Sequence, residues 1–362
     1  MNVIFDNIIF ALQRSGGISM VWYELLKRSV ADTSFSKLYL EYANENIFYQ
    51  QLALPTEQCL LLKNRICVER YLSPHIQSVF SEAVFHSGYF RILPQKGIKN
   101  ITTIHDFTYT YYRHGLAKSV HLWQERYAME KSAGIICVSE HTRKDLLKLY
   151  PFVDEKKVTV IPNGVDERFH PLASNDILKL LIPFERGSYL LYVGNRKVQY
   201  KNFSIAVEVA KTTKLPLVIV GSPLSEKERN QLTTVLGIAN YAMVADASVE
   251  DLNKIYNGAF CLLYPSLYEG FGIPIVEAQK AGCPVVALNV SSIPEVAGDG
   301  AILIDCHKKN FENEMSEAVQ SVKNGQFDSV NLIQRGIINS HRFSWDKTYK
   351  ETIEFYKKIE RE

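Results

Sequence analysis

Short runs of β-branched and aromatic residues recur along almost the whole chain, and each is followed by a stretch whose apolar residues fall at helical spacing. Runs that short and that apolar bury both faces, and helical crossovers between them make parallel sheets rather than hairpins. One set covers residues 3–10, 37–42, 83–86, 100–104, 134–138 and 158–161. A second covers 189–193, 217–220, 241–244, 259–264, 284–288 and 301–304. Each set predicts one sheet of about six strands.

Between the sets, residues 162–187 lack strand character and hold Pro162, Pro171 and Pro183 with the turn dipeptide Asn163-Gly164. The boundary falls there, giving domains 1–168 and 169–343. Residues 344–362 predict a helix with Ser344 as N-cap and Tyr349, Ile353, Tyr356 and Ile359 on its apolar face. That helix follows a complete second sheet and is free to pack back on the first domain. The length of 362 residues fits two domains of ~150 residues each.

Charge and composition remove several classes of function. A net charge of +2, with 41 basic and 39 acidic residues, gives no footprint for a nucleic-acid partner. The longest apolar runs fall short of the ~18 residues of a membrane span. Asn2, Asp6 and Asn7 interrupt the N-terminus, so no signal-peptide pattern is legible. The six cysteines stand singly without metal-ligand spacing and read as reduced core thiols of a cytoplasmic protein. The basic and apolar stretches 60–71 (Lys63, Arg65, Arg70) and 118–131 read either as solvated helix faces or as surfaces for anionic lipid headgroups. The second reading implies peripheral contact with the inner face of a membrane.

Four segments carry residue types suited to chemistry. Gly16-Gly17 follows the first strand and opens an amphipathic helix, which lets a ligand approach the backbone and leaves helix amides for an anion. A plain strand-to-helix turn reads the same way. His105-Asp106 lies where an apolar strand ends, the side of a parallel sheet on which ligands bind, although a capping His and an N-cap Asp fit equally well. Arg196, Lys197 and Lys201 follow Gly194 at another strand exit and suit a diphosphate, as a planar fork of donors beside point charges, although a solvated loop looks the same.

The most specific segment runs from Pro265 to Ala278. Glu269 precedes Gly270-Phe271-Gly272-Ile273, Pro274 takes the first helical position, and Glu277 lies in the first turn of a helix that ends at Gly282. The helix amides then point back at the glycine turn. A structural reading explains Pro274 and Gly282 but gives no reason for Glu269 and the Gly-Phe-Gly turn. No metal site is expected, because the histidines show no ligand pairing.

With these residues in place, the chain resembles the family 4 glycosyltransferases of the GT-B fold. Their Glu-x7-Glu signature matches Glu269 and Glu277, and further agreement comes from Gly16-Gly17, His105-Asp106, the segments 138–142 and 161–166, Arg196 with Lys201, and 292–296. The resemblance implies an α/β protein of two Rossmann-like domains with parallel sheets facing across a cleft and a C-terminal helix returning to the first. It implies a retaining, metal-independent enzyme with a nucleotide sugar as donor and no other cofactor. Arg196 and Lys201 would hold the diphosphate and offset charge on the leaving group. Gly17 and the amides from Phe271 to Ile273 would complete the anion site, Glu277 would accept hydrogen bonds from the ribose diol, and Glu269 would hold a sugar hydroxyl. His105 would reach the sugar or the acceptor. Retention would follow front-face attack by the acceptor hydroxyl, with a phosphate oxygen as base.

The Gly-Asn-Arg-x3-Tyr-Lys-Asn segment looks most like members that build bacterial surface polysaccharides, such as O-antigen or capsule mannosyltransferases. That implies GDP-mannose as donor and a lipid-linked or oligosaccharide acceptor, with UDP-linked hexoses as the alternative. Nucleotide-sugar 2-epimerases share the fold but are not expected to carry Glu269 through Glu277 as it stands. A two-lobed solute-binding protein would require export.

Overall fold

A computed structural model describes residues 1–62, 66–77, 79–173 and 182–362. Lys63 and Arg65 of the first basic stretch lie outside these residues. The chain divides into two compact units, Met1–Gly164 with Trp345–Glu362, and Val165–Ser344.

The first unit is built on a parallel sheet of seven strands: β1 (Asn2–Asp6), β2 (Ser36–Glu41), β3 (Cys59–Leu61), β4 (Ala83–Ser87), β5 (Ile98–Ile104), β6 (Gly134–Cys137) and β7 (Val158–Val160). Their spatial order is β3-β2-β1-β4-β5-β6-β7. The chain therefore builds outward from β1 in one direction, then returns to β1 and builds in the other. The order reverses between β1 and β4, and such a reversal leaves an opening beyond the carboxyl ends of the two strands.

Two details depart from the sequence reading. The first strand ends at Asp6 instead of residue 10, and Ile8–Leu12 is a short helix whose Ile8, Ile9 and Phe10 are buried. Asp6, the last residue of the strand, has its carboxylate held by side chains: Tyr42 and Ser87 hydroxyls donate to it at 2.9 and 2.8 Å, and Arg91 pairs with it at 3.3 Å. The edge strand β3 has no counterpart in the sequence reading.

The final helix, Trp345–Arg361, belongs to this unit. It sets Ile353, Phe355, Tyr356 and Ile359 into the core with Val3, Phe5, Tyr39 and Ile136. Its fit is close. A Cβ on Gly134 would come within 2.6 Å of the Phe355 ring, and the Tyr356 hydroxyl lies 2.5 Å from His86 Nδ1.

The second unit is a parallel sheet of six strands: β8 (Leu190–Val193), β9 (Leu217–Val220), β10 (Tyr241–Val244), β11 (Cys261–Tyr264), β12 (Val285–Leu288) and β13 (Ile302–Ile304). The order β10-β9-β8-β11-β12-β13 again reverses, here between β8 and β11. Helices Phe203–Thr213 and Phe311–Lys323 cover it through Ala206, Val209, Met315 and Val319.

Of the six cysteines, all free, Cys137, Cys261 and Cys283 are buried, Cys59 and Cys306 are half-buried, and Cys67 is exposed. Not all of them are core thiols. Among the described residues no helix is long and apolar enough to cross a membrane.

Candidate active site

In the second unit the two strands that flank the reversal each deliver one charged side chain. The loop after β8 carries Lys201 and the loop after β11 carries Glu269. Lys201 Nζ donates to Glu269 Oε1 at 2.5 Å. The carboxylate is nearly buried and the lysine about one-fifth exposed, so the pair is well shielded from water. Serines hold the Glu269 loop in place. The Glu269 amide donates to Ser291 Oγ at 3.0 Å, while Ser292 Oγ lies 2.9 Å from the Glu269 carbonyl and 3.0 Å from that of Phe271.

Gly272 follows with φ at 100°, a left-handed conformation that a side chain would strain. It caps helix Ile273–Lys280, so Pro274 is the second helical residue and not the first. Among the described residues, no protein acceptor is recorded for the amides of Phe271, Gly272 and Ile273. These amides sit at the positive end of the helix. The Phe271 ring itself turns inward, edge to face with Phe343 at 5.4 Å. Only its backbone is available to a ligand.

Glu277 lies one turn further along than the sequence reading placed it, and the first turn of the helix is without an acidic residue. Its carboxyl is buried, and the Tyr256 hydroxyl donates to Oε2 at 2.9 Å. Burial raises its pKa to about 7; the Tyr256 hydrogen bond acts downward and Asp166 upward. At neutral pH about half of this group carries a proton.

Arg196 leaves the loop after β8 in a different direction from Lys201. Its guanidinium is almost fully buried and donates to the carbonyls of Ser222 and Pro223 at 2.8 and 3.2 Å and to Glu228 at 3.3 Å. Glu228 also closes a capping box with Ser225 at the start of helix Glu226–Leu236. This web of contacts to Arg196 was not legible in the sequence.

In the first unit, His105 and Asp106 stand directly beyond the carboxyl end of β5. His105 is half-buried, and burial lowers its pKa to about 4, leaving a neutral ring at physiological pH. Asp106 is not an N-cap: the cap of helix Thr108–Tyr112 is Phe107, and Asp106 Oδ1 accepts from the Thr108 amide and hydroxyl at 2.8 and 2.5 Å. Gly16 caps helix Gly17–Ala31, so the short helix Ile8–Leu12 separates this turn from β1. Gly17 is exposed, and a Cβ there would meet nothing within 4 Å. Packing does not explain that glycine.

Two parallel α/β sheets, each with a reversed strand order and charged side chains at its strand exits, define two Rossmann-like units. Solved structures share it. A sucrose-phosphate synthase from Thermosynechococcus elongatus matches with a TM-score of 0.76 at 17% identity, covering 99% of this chain and 98% of its own. Anabaena HepE in complex with UDP-glucose matches with a TM-score of 0.72 at 16% identity, covering 98% of each chain. The fold is GT-B. A family model described as "Glycosyl transferases group 1" matches residues 181–337, and "Glycosyltransferase Family 4" matches residues 54–169. Among curated relatives, O-antigen chain mannosyltransferase B of Escherichia coli is 26% identical over 299 residues, 77% of this chain and 75% of that protein. The chain belongs to the family 4 glycosyltransferases and resembles O-antigen mannosyltransferases.

Proposed function

We propose that this glycosyltransferase moves a hexose from a nucleotide sugar to a hydroxyl of a lipid-linked or oligosaccharide acceptor, with retention at the anomeric carbon. The observation that carries the reading is the Lys201–Glu269 pair at 2.5 Å, set where the strand order of the second sheet reverses. The lysine offers charge to a diphosphate and the carboxylate is held ready for a sugar hydroxyl. As the anomeric C–O bond to phosphate breaks, negative charge grows on the leaving diphosphate. Lys201, Arg196 and the amides from Gly270 to Ile273 offset it, and no divalent metal is needed for that purpose. The acceptor hydroxyl attacks from the same face and passes its proton to a phosphate oxygen. Glu277 receives the ribose diol.

In the first unit, His105, Gly16 and Gly17 serve the reacting sugar or the acceptor. Likeness to a mannosyltransferase favours GDP-mannose as donor. Helix Leu116–Lys131 leaves Leu116, Val120 and Trp123 exposed on one face beside Arg126 and Lys131, a surface suited to peripheral contact with an anionic membrane. The protein works at the cytoplasmic face.

A donor panel tests the reading. GDP-mannose, UDP-glucose, UDP-galactose and UDP-N-acetylglucosamine are compared by thermal shift and by release of nucleoside diphosphate, with and without a chelator. GDP-mannose is expected to give the largest shift, with release unaffected by chelation. A UDP sugar in first place would reassign the base. Indifference to every nucleotide sugar would refute the proposal.

A further inference from the structure

A cavity of about 260 Å³ opens in the first unit beyond the carboxyl ends of β1, β4 and β5, beside the reversal of strand order. Its volume equals roughly eight waters, the scale of one sugar ring. His105, Asp106 and Thr103 line it from the end of β5. Arg70, Tyr89, His121 and Tyr109 form a connected cluster within the rest of the lining. Arg70 Nη2 donates to the Tyr89 hydroxyl at 2.9 Å, that hydroxyl lies 3.2 Å from His121 Nδ1, and the His121 ring stacks on Tyr109 at 3.9 Å.

Among the described residues, Arg70 is the one cation of this cluster and Asp106 the one carboxylate of the cavity lining, and the two are not paired. The Arg70 guanidinium lies over the Tyr71 and Tyr89 rings at 5.1 and 5.2 Å, and its Nε is buried with no acceptor. Among the described residues no carboxylate forms an ion pair with it. His121 gives no counter-charge, since burial and the nearby Arg70 lower its pKa to about 4. Asp106, the acid in the lining, is engaged by Thr108. A half-buried, permanently charged fork whose Nε is an idle buried donor is a site for a planar or tetrahedral oxyanion. The aromatic rings of Phe90 and Tyr89 in the same lining suit the apolar face of a sugar ring.

We propose that this cavity takes the acceptor by an anionic group: a sugar bearing a phosphate or a carboxylate, its oxyanion on Arg70 and its hydroxyls toward His105 and Asp106. The assignment of the ligand as acceptor rests on the glycosyl-transfer reading above; the anion site itself does not.

The test is calorimetric titration of the full chain with glucose 1-phosphate, glucuronate and methyl glucoside. At least one anionic sugar is expected to bind about tenfold or more tighter than the neutral glycoside. Which of the two binds identifies phosphate or carboxylate as the natural group. Arg70→Gln should lose that preference, and Arg70→Lys should retain part of it through charge alone. Equal binding of all three sugars, no binding of either anionic one, or a folded Arg70→Gln with unchanged affinities would each overturn the proposal. Should Arg70→Gln not fold, Arg70→Lys and Tyr89→Phe decide it, both weakening the anionic sugar several-fold. A nucleoside diphosphate titrated into the same samples separates the two readings. If it fails to bind while the Arg70-dependent sugar binds, the donor assignment falls and the anion site stands.

Discussion

Glu277 gives the sharpest consequence of the site geometry. Its carboxyl titrates near pH 7 in the folded protein against an ordinary value of 4.5, because burial disfavours the charged form. To accept two hydroxyls of a ribose diol it must be ionised. With a pKa of about 7, roughly one-tenth is ionised at pH 6 and nine-tenths at pH 8. Nucleoside diphosphate affinity should therefore rise about tenfold over that interval, ~1.4 kcal/mol. The diphosphate has a titration of its own, so the quantity to measure is the ratio of dissociation constants for wild type and Glu277→Gln at each pH, by calorimetry. The amide cannot ionise, and the ratio isolates the carboxyl. The linked effect on stability has the opposite sense. Between pH 4.5 and 7 the folded state keeps a proton that the unfolded state releases, so this group's stabilising contribution is complete below pH 4.5 and shrinks as pH rises, by ~3 kcal/mol in total. Glu277→Gln should flatten that part of the unfolding profile. A ratio constant from pH 6 to 8 would refute the assignment of Glu277 to the ribose.

Lys201→Ala and Glu269→Ala are each expected to lower turnover by about two orders of magnitude in a diphosphate-release assay, and near-normal rates in both would remove them from the mechanism. Gly17→Ala meets no steric obstacle, so its melting temperature should hold or rise while transfer falls; unchanged transfer would show that no ligand approaches that backbone. Glu228→Gln retains the capping box with Ser225 but removes the charge facing Arg196. Nucleoside diphosphate affinity should then rise up to about fivefold, ~1 kcal/mol for a partly exposed pair, if Arg196 serves the diphosphate directly. Arg91→Met strands the buried Asp6 carboxylate, with both side chains at 0% exposure, and should cost ~3–5 kcal/mol in denaturant unfolding.

The strands were legible because their short apolar runs end in glycine or polar residues, a local signal. Of the expected runs, 217–220 and 241–244 coincide with their strands and nine others differ by only a residue or two at one end or both, since the fold there follows the local pattern. The run at 3–10 misled because Ile8, Ile9 and Phe10 are as buried in a short helix as they would be in a strand, and periodicity cannot separate the two. The edge strand β3 left little trace because only Cys59 of its three residues is half-buried and the others face solvent. No alternation survives over so short a span.

Site residues divide along the same physical line. Strand exits can be read from the sequence, so the placement of Lys201, Glu269 and His105 beyond β8, β11 and β5 was legible. What each side chain touches cannot, because it depends on contacts between distant segments. The family resemblance gives Arg196 and Lys201 one partner, a diphosphate, yet the two stand in different states. Arg196 spends its fork on two carbonyls and Glu228, and must exchange a partner before it can touch a diphosphate. Among the described residues Lys201 pairs with Glu269 alone, and it keeps further donors and some exposure to solvent, so it can turn toward an incoming phosphate without leaving Glu269. Arg196 thus ties the loop after β8, the loop that carries Lys201, to the loop after β9 through the carbonyls of Ser222 and Pro223.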